Sequence, residues 1–330
     1  MSVDFLDMRQ INISEFLGAL EATRRTYHDN YFAMYSSFLG GIVTDPVLMF
    51  VPADDHLVHR GDGVFETFKC VNGSIYNLKG HLDRLEHSAS AVSLPLPCSQ
   101  EGIEDIAAET IRAGKSRNCL VRIMISRGPG GYDANPYESV GSQMYVIVSM
   151  LKDPFMKLHP EGARVVTVPV RTSGESLSIV KTCNYIPNVL MKKEAVDRNV
   201  DFAAGIDERG CLTEGATENF GIVADGPRLV FPPLHAVLAG TTMMRVADLA
   251  RALVKSGQLR SVEFKDITRD DAGNALEILI VGTTRNVISV VELDGSTVGN
   301  GRPGPVAETL GALLEKDILE NAEMLTRVMQ

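Results

Sequence analysis

The chain has 330 residues, of which 45% are hydrophobic and 22% charged, so it is long enough for two domains of ordinary size and has the balance of a folded globular protein. A formal net charge of -10, with no run of Lys and Arg, excludes the basic footprint of a nucleic-acid binder. The longest apolar stretches, such as "LEILIVG" at 276–282, fall short of the roughly 20 residues that a membrane helix needs.

Residues 12–34 carry a helical apolar rhythm through Phe16, Leu17, Leu20 and Tyr27, opened by a cap-like Ser14, which predicts a helical extension over 1–34. Strand-like runs follow at 46–52, 63–71 and 74–78. The last two are joined by Asn72-Gly73, a strong hairpin signal. Leu82, Leu85 and Ala89 mark a helix over 78–92, and 101–115 repeats the pattern before "LVRIMISRG" and "QMYVIVSML" return to strand character. This order predicts an α+β domain over 35–153, with the proline-bearing 154–163 as a linker.

The remainder, 164–330, reads as a larger domain: the strand "RVVTVPV", the helix "PNVLMKKEAVDRN" and the strands of "FAAGIDERGCLTEG" and "NFGIVADGPRLVFPP". The helix "TTMMRVADLARALVKSG" comes next, then the strands "VEFKDI" and "EILIVG" and a terminal helix over 303–329. The first twenty residues hold Asp4 and Asp7 and lack the basic start of a secretory signal, which predicts a cytoplasmic location. Cysteines 70, 98, 119, 183 and 211 contain no CxxC pair and read as reduced packing residues. The histidines of "DDHLVH" lack a third ligand at a recognised spacing, so no metal is expected.

Four short stretches each suit one part of an aldehyde cofactor. Lys181, in "SIVKTCNYIPNVL", lies among apolar neighbours, and such a lysine either snorkels to water or is desolvated for chemistry. Glu214, before Gly215 in "LTEGATENFGI", can accept a hydrogen bond from a ring nitrogen or be one more solvated turn residue. Gly240-Thr241-Thr242 open a helix and suit an anion or an ordinary cap, and a second Gly-Thr-Thr ends at Thr284. Arg84 in "HLDRL" can fork a phosphate or pair on the surface.

The order and spacing of these stretches, with "HRGDGVFETFKCVNGSIYNLKGHLDRLEHSA", "VKTCNYIPNVLMKKEA" and "LTEGATENFGIV", resemble the fold-type IV pyridoxal-phosphate enzymes, the class IV aminotransferases, over residues 35–325. The stretch from "MYSSFLGG" to "GDGVFET" is similar to the plant-type D-amino acid transaminase and aminodeoxychorismate lyase branch. The resemblance implies two α/β domains with pyridoxal 5'-phosphate between them, and a homodimer. It implies Lys181 as the residue joined to the cofactor and later moving the proton, Tyr185 on the phenolate oxygen and Glu214 on the pyridinium nitrogen. Arg84, Thr241, Thr242 and Thr283 would hold the phosphate, and Phe65, Thr67, Arg122 and Thr284 would meet the substrate. Its loop "SRGPGGYDANP" holds no Arg-x-His pair of the kind some bacterial D-amino acid aminotransferases use for the carboxylate.

The expected reaction moves an amino group from a small amino acid, of D-amino acid or branched-chain type, to a 2-oxo acid. The alternative is 4-amino-4-deoxychorismate lyase, which releases pyruvate and 4-aminobenzoate. A third possibility, a scaffold without chemistry, gives no physical reason to hold Lys181, Tyr185 and Glu214 together.

Overall fold

The computed structural model describes residues 10–169 and 178–329. Its first half is built on β1 (Tyr31–Ser36), β2 (Gly41–Val43), β3 (Gly63–Val71), β4 (Ser74–Tyr76), β5 (Cys119–Ser126) and β6 (Gln143–Met150), with helices α1 (Ile13–Glu21), α2 (His56–Arg60), α3 (Leu78–Ala91) and α4 (Gln100–Gly114). The second half has α5 (Phe155–Leu158), β7 (Ala163–Pro169), α6 (Ile186–Asp197), β8 (Phe202–Ile206), β9 (Leu212–Gly215), β10 (Asn219–Ala224) and β11 (Arg228–Phe231). It continues through α7 (Thr241–Lys255), β12 (Ser261–Phe264), α8 (Arg269–Gly273), β13 (Glu277–Gly282), β14 (Asn286–Leu293), β15 (Ser296–Thr297), α9 (Pro305–Glu320) and β16 (Leu325–Arg327).

The first sheet has seven antiparallel strands in the order β16-β4-β3-β5-β6-β1-β2. Val64, Phe68, Cys70, Val121, Ile123 and Ile125 face one way from its middle strands and are buried under Leu82, Leu85, Ile103 and Ile111 of α3 and α4. Alternation at period two then turns Phe65, Thr67 and Arg122 to the opposite face. The hairpin between β3 and β4 turns on Asn72 and Gly73 at φ of 52° and 80°, the left-handed pair that a tight primed turn requires.

In the second sheet, β10 pairs with β13 on one side and, through Asn219 opposite Glu214, with β9 on the other. This closes β10, β13, β14, β7, β8 and β9 into a ring. Phe202, Leu212, Phe220, Ile222, Ile280, Ile288 and Val290 fill one core on it, while α7 and α9 cover Leu279, Val281 and Val287 with Met243, Val246, Leu310 and Leu314. One antiparallel and one mixed sheet, each packed against helices, agree with the α+β expectation.

Several expected elements come out differently. The N-terminal helix stops at Glu21, its cap is Asn12 in a capping box with Glu15 rather than Ser14, and residues 31–34 are already strand β1; residues 1–9 lie outside the described residues. Pro46–Leu48 form a 3-10 turn where a strand was expected, because Pro46 removes a ladder donor and Asp45 caps Val47. The supposed linker contains α5, whose Phe155 ring lies 5.2 Å from Phe202. The terminal helix ends at Glu320, and β16 returns to pair with β4 in the first sheet. Among the described residues no helix is long and apolar enough to cross a membrane.

Candidate active site

Strand β4 covers β3 only at Cys70 and Val71, which leaves the edge at Gly63–Phe65 unpaired. The Lys181 segment fills it: Phe65 N donates to Lys181 O at 3.0 Å and Cys183 N to Gly63 O at 2.8 Å. Lys181 N also donates to Ser88 Oγ at 3.2 Å. With its backbone fixed at these points, Lys181 extends its amine into a cavity between the two sheets.

That cavity gathers residues from separate parts of the chain. Phe65, Thr67, Arg84, Arg122, Lys181, Tyr185, Glu214, Thr241, Thr242, Thr283 and Thr284, the residues that the resemblance assigns to cofactor or substrate, line it. Lys181 Nζ lies 3.4 Å from Tyr185 Oη and 4.6 Å from the centre of the Phe65 ring, which packs edge-on against Tyr185. Burial, reinforced by the Arg84 charge, lowers the pKa of Lys181 to about 8. About half of this amine is therefore neutral at pH 8, against well under 1% for an ordinary lysine. Burial also raises the Tyr185 phenol, so it keeps its proton.

Glu214 lies near the end of β9, where one oxygen accepts from Leu238 N at 3.1 Å. Burial raises its pKa to about 7, against the pull of Lys181. Asn219 opposite it donates to Leu238 O at 3.0 Å and approaches Gly240 so closely that a Cβ there would overlap its Oδ1. Gly240 is thus required at the start of α7, and it supplies no capping side chain. Neither Thr241 nor Thr242 is the cap that the sequence allowed; both lie in the first turn. Its backbone N–H groups are left without intrahelical acceptors and open an anion site at the positive end of the helix.

Arg84 pairs with a carboxylate, but a buried one rather than one on the surface. It leaves the solvent side of α3 and binds buried Glu66 through Nε at 2.6 Å and Nη2 at 2.9 Å, while still lining the cavity. Arg122, across from Thr67 on β5, stacks 5.4 Å from the Phe65 ring centre and has no carboxylate partner among the described residues. Thr67 Oγ1 is buried without a hydrogen bond.

Sequence reasoning missed Arg285, which lines the cavity just after Thr284 with its Nε buried and unpartnered, and Glu218, a second buried carboxyl that accepts from Thr217 Oγ1 at 2.6 Å. It also missed Glu66, though a charge in the apolar row Val64, Phe68 and Cys70 was a visible signal. In "DDHLVH", Asp55 is spent on Leu57 N, Ser126 and Tyr145 Oη, and His56 on Gly131 O. The donor set fits pyridoxal phosphate: a neutral-capable amine, a buried carboxyl in the lining of the same cavity, an uncapped helix start and orphan polar atoms.

Residues 63–293 match the family model described as amino-transferase class IV. The chain is 37% identical over 289 residues, 87% of its length and 77% of the relative's, to the D-amino-acid transaminase, chloroplastic, of Arabidopsis thaliana. It is 30% identical to the putative branched-chain-amino-acid aminotransferase of Methanocaldococcus jannaschii, covering 83% of this chain and 93% of that one. Among solved structures it is similar to the T.th. branched-chain amino acid aminotransferase complexed with N-(5'-phosphopyridoxyl)-L-glutamate, at a TM-score of 0.80 and 26% identity over 91% of this chain and 99% of that one. The chain belongs to the class IV aminotransferases and is a pyridoxal-phosphate-dependent enzyme that transfers amino groups between small amino acids and 2-oxo acids.

Proposed function

We propose that the amino donor is a D-amino acid, that Lys181 carries the cofactor and moves the proton, and that the enzyme works as a homodimer in the cytoplasm. The observation that carries the catalytic reading is the desolvated Lys181 amine, 3.4 Å from Tyr185 Oη in a cavity that also holds Glu214. Identity of 37% to a D-amino-acid transaminase, against 30% to a branched-chain enzyme, supports the donor. Exposed Phe16, Leu17, Phe38 and Leu39 support a second copy, and five unpaired thiols suit a reducing compartment.

When bound, the cofactor supplies an aldehyde that takes up the amino group and a ring that holds the electron pair left at Cα. With the cofactor bound, Lys181 Nζ would take the Cα proton of the amino acid as general base and give it back as general acid within the same cavity. Tyr185 steadies Nζ through its hydroxyl, and Glu214 supplies the negative charge that keeps a ring nitrogen protonated. Arg84, the first turn of α7 and the Thr283 turn hold the phosphate. Arg122, Thr67 and Thr284 bind the substrate carboxylate, with Arg285 beside them.

A panel of D- and L-amino acids, each mixed with holoenzyme and a 2-oxo acid, tests the donor. D-amino acids are expected to bleach the cofactor band and yield product, and Arg122→Gln is expected to raise KM by about 10-fold to 100-fold with a smaller change in kcat. Turnover confined to L-branched-chain donors would overturn the D-amino acid assignment.

A further inference from the structure

Glu66 stands in the row of β3 that points into the apolar core, between Val64 and Phe68, with 0% of its surface exposed. A lone carboxylate there is costly, so its partners matter. Besides the two bonds from Arg84, it accepts from His81 Nδ1 at 2.7 Å and from Thr67 N at 3.2 Å. Burial pushes its carboxyl up, but Arg84 and His81 outweigh this and hold it at about 2, so it stays ionised. Glu66 itself does not line the cavity.

Both of its side-chain partners reach further. Arg84 Nη1 donates to Ala239 O at 3.2 Å, and His81 Nε2 lies 3.3 Å from Thr241 Oγ1. Ala239 and Thr241 flank Gly240, where α7 begins. Burial lowers the pKa of His81, so its ring is neutral; with Nδ1–H given to Glu66, Nε2 is left to accept from the Thr241 hydroxyl. One buried carboxylate on the first sheet is therefore tied to both sides of a helix start on the second.

We infer that Glu66 is a positioning residue: through Arg84 on one arm and His81 on the other it fixes the guanidinium and the first turn of α7 in mutual register, and so shapes the end of the cavity that receives the cofactor phosphate. This rests on the pyridoxal-phosphate reading of the cavity. It assigns Glu66 no contact with cofactor or substrate. Neither arm makes a hydrogen bond to Lys181 or Glu214, and the Glu66 and Arg84 charges act on the Lys181 amine in opposite directions, so the main effect falls on the phosphate.

The test compares pyridoxal phosphate with pyridoxal, which lacks the phosphate, on the full chain stripped of cofactor and titrated by the absorbance of the attached aldehyde. In Glu66→Gln, of nearly the same shape, affinity for pyridoxal phosphate is expected to fall by about 10-fold to 100-fold, the range seen when groups that orient a ligand-binding side chain are removed. Affinity for pyridoxal should stay within about 3-fold of the unaltered chain. His81→Asn, which keeps a donor for Glu66 and removes the arm to Thr241, provides the second variant should Glu66→Gln fail to fold, and the same selective loss is expected. Equal loss of both aldehydes, or of neither, in the variant that folds overturns the role of Glu66 while leaving the cofactor reading intact. An unaltered chain that binds neither aldehyde overturns that reading instead.

Discussion

Lys181→Ala is expected to lower amino-group transfer by about 10⁴-fold, the upper range for a single proton-transfer group, and more if covalent attachment is lost with it. The neighbouring cations explain why no other group substitutes. Arg84 and Arg122 line the same cavity but do not lose their protons in a protein, and Tyr185 is pushed above its ordinary pKa by burial. Among the described residues that line the cavity, only Lys181, lowered to about 8 by burial and by Arg84, offers a neutral amine near neutral pH. The sign fixes a pH dependence. The amine is protonated below about 8, so the rate at which added cofactor attaches should climb roughly tenfold per pH unit at low pH and level off above about 8. A rise continuing to the ordinary lysine range, measured by stopped-flow absorbance, would contradict a desolvated Lys181.

Glu214→Gln should retain cofactor yet lower kcat by about 10²-fold to 10³-fold, the magnitude found when one fixed electrostatic partner of the reacting group is removed. Glutamine still offers an oxygen to Leu238 N, so the local shape survives, but it carries no negative charge. Unchanged turnover in a fully loaded variant would sink the pairing of Glu214 with the ring. The cofactor-free protein should respond in the opposite direction. Burial raises the folded-state pKa of Glu214 to about 7 from 4.5, so the folded chain holds this proton more tightly than the unfolded chain. The resulting stabilisation is fully present below about pH 4.5 and is lost as pH rises through about 7. Thermal melts of Glu214→Gln should lack this loss.

Much of the site was legible because each piece obeys a local rule. Alternation along "GVFETFKC" separates Phe65 and Thr67 from Val64 and Phe68, and the Asn72-Gly73 turn fixes where that strand ends. The helical period of 241–255 begins where α7 does. Lys181 was ambiguous by itself, since sequence cannot show that the free edge of β3 will receive its segment; the bonds to Gly63 and Phe65 are long-range. Arg84 stayed open between a phosphate and a surface partner for the same reason, since only the docking of α3 on β3 brings it to buried Glu66. Arg285 was hidden by proximity: it follows two threonines that already had an assignment, and its burial depends on packing near Phe202, 5.5 Å from its guanidinium carbon. The ends of the chain were misjudged where helical periodicity runs into strand. Tyr27, Tyr31 and Met34 keep the helical spacing although Tyr31–Ser36 are strand, and Leu325–Arg327 are too short to announce a strand.

The most direct measurement is to reduce the holoenzyme with borohydride, digest it and locate the phosphopyridoxyl group by mass spectrometry. A second lysine makes the outcome informative. Lys69 is also buried and lowered to about 8, mainly by burial, but its amine bonds Asn286 and it does not line the cavity. The label is expected on the peptide carrying Lys181, with Lys69 unmodified. A label on Lys69 or on any other residue, or none at all, would contradict the site proposed here.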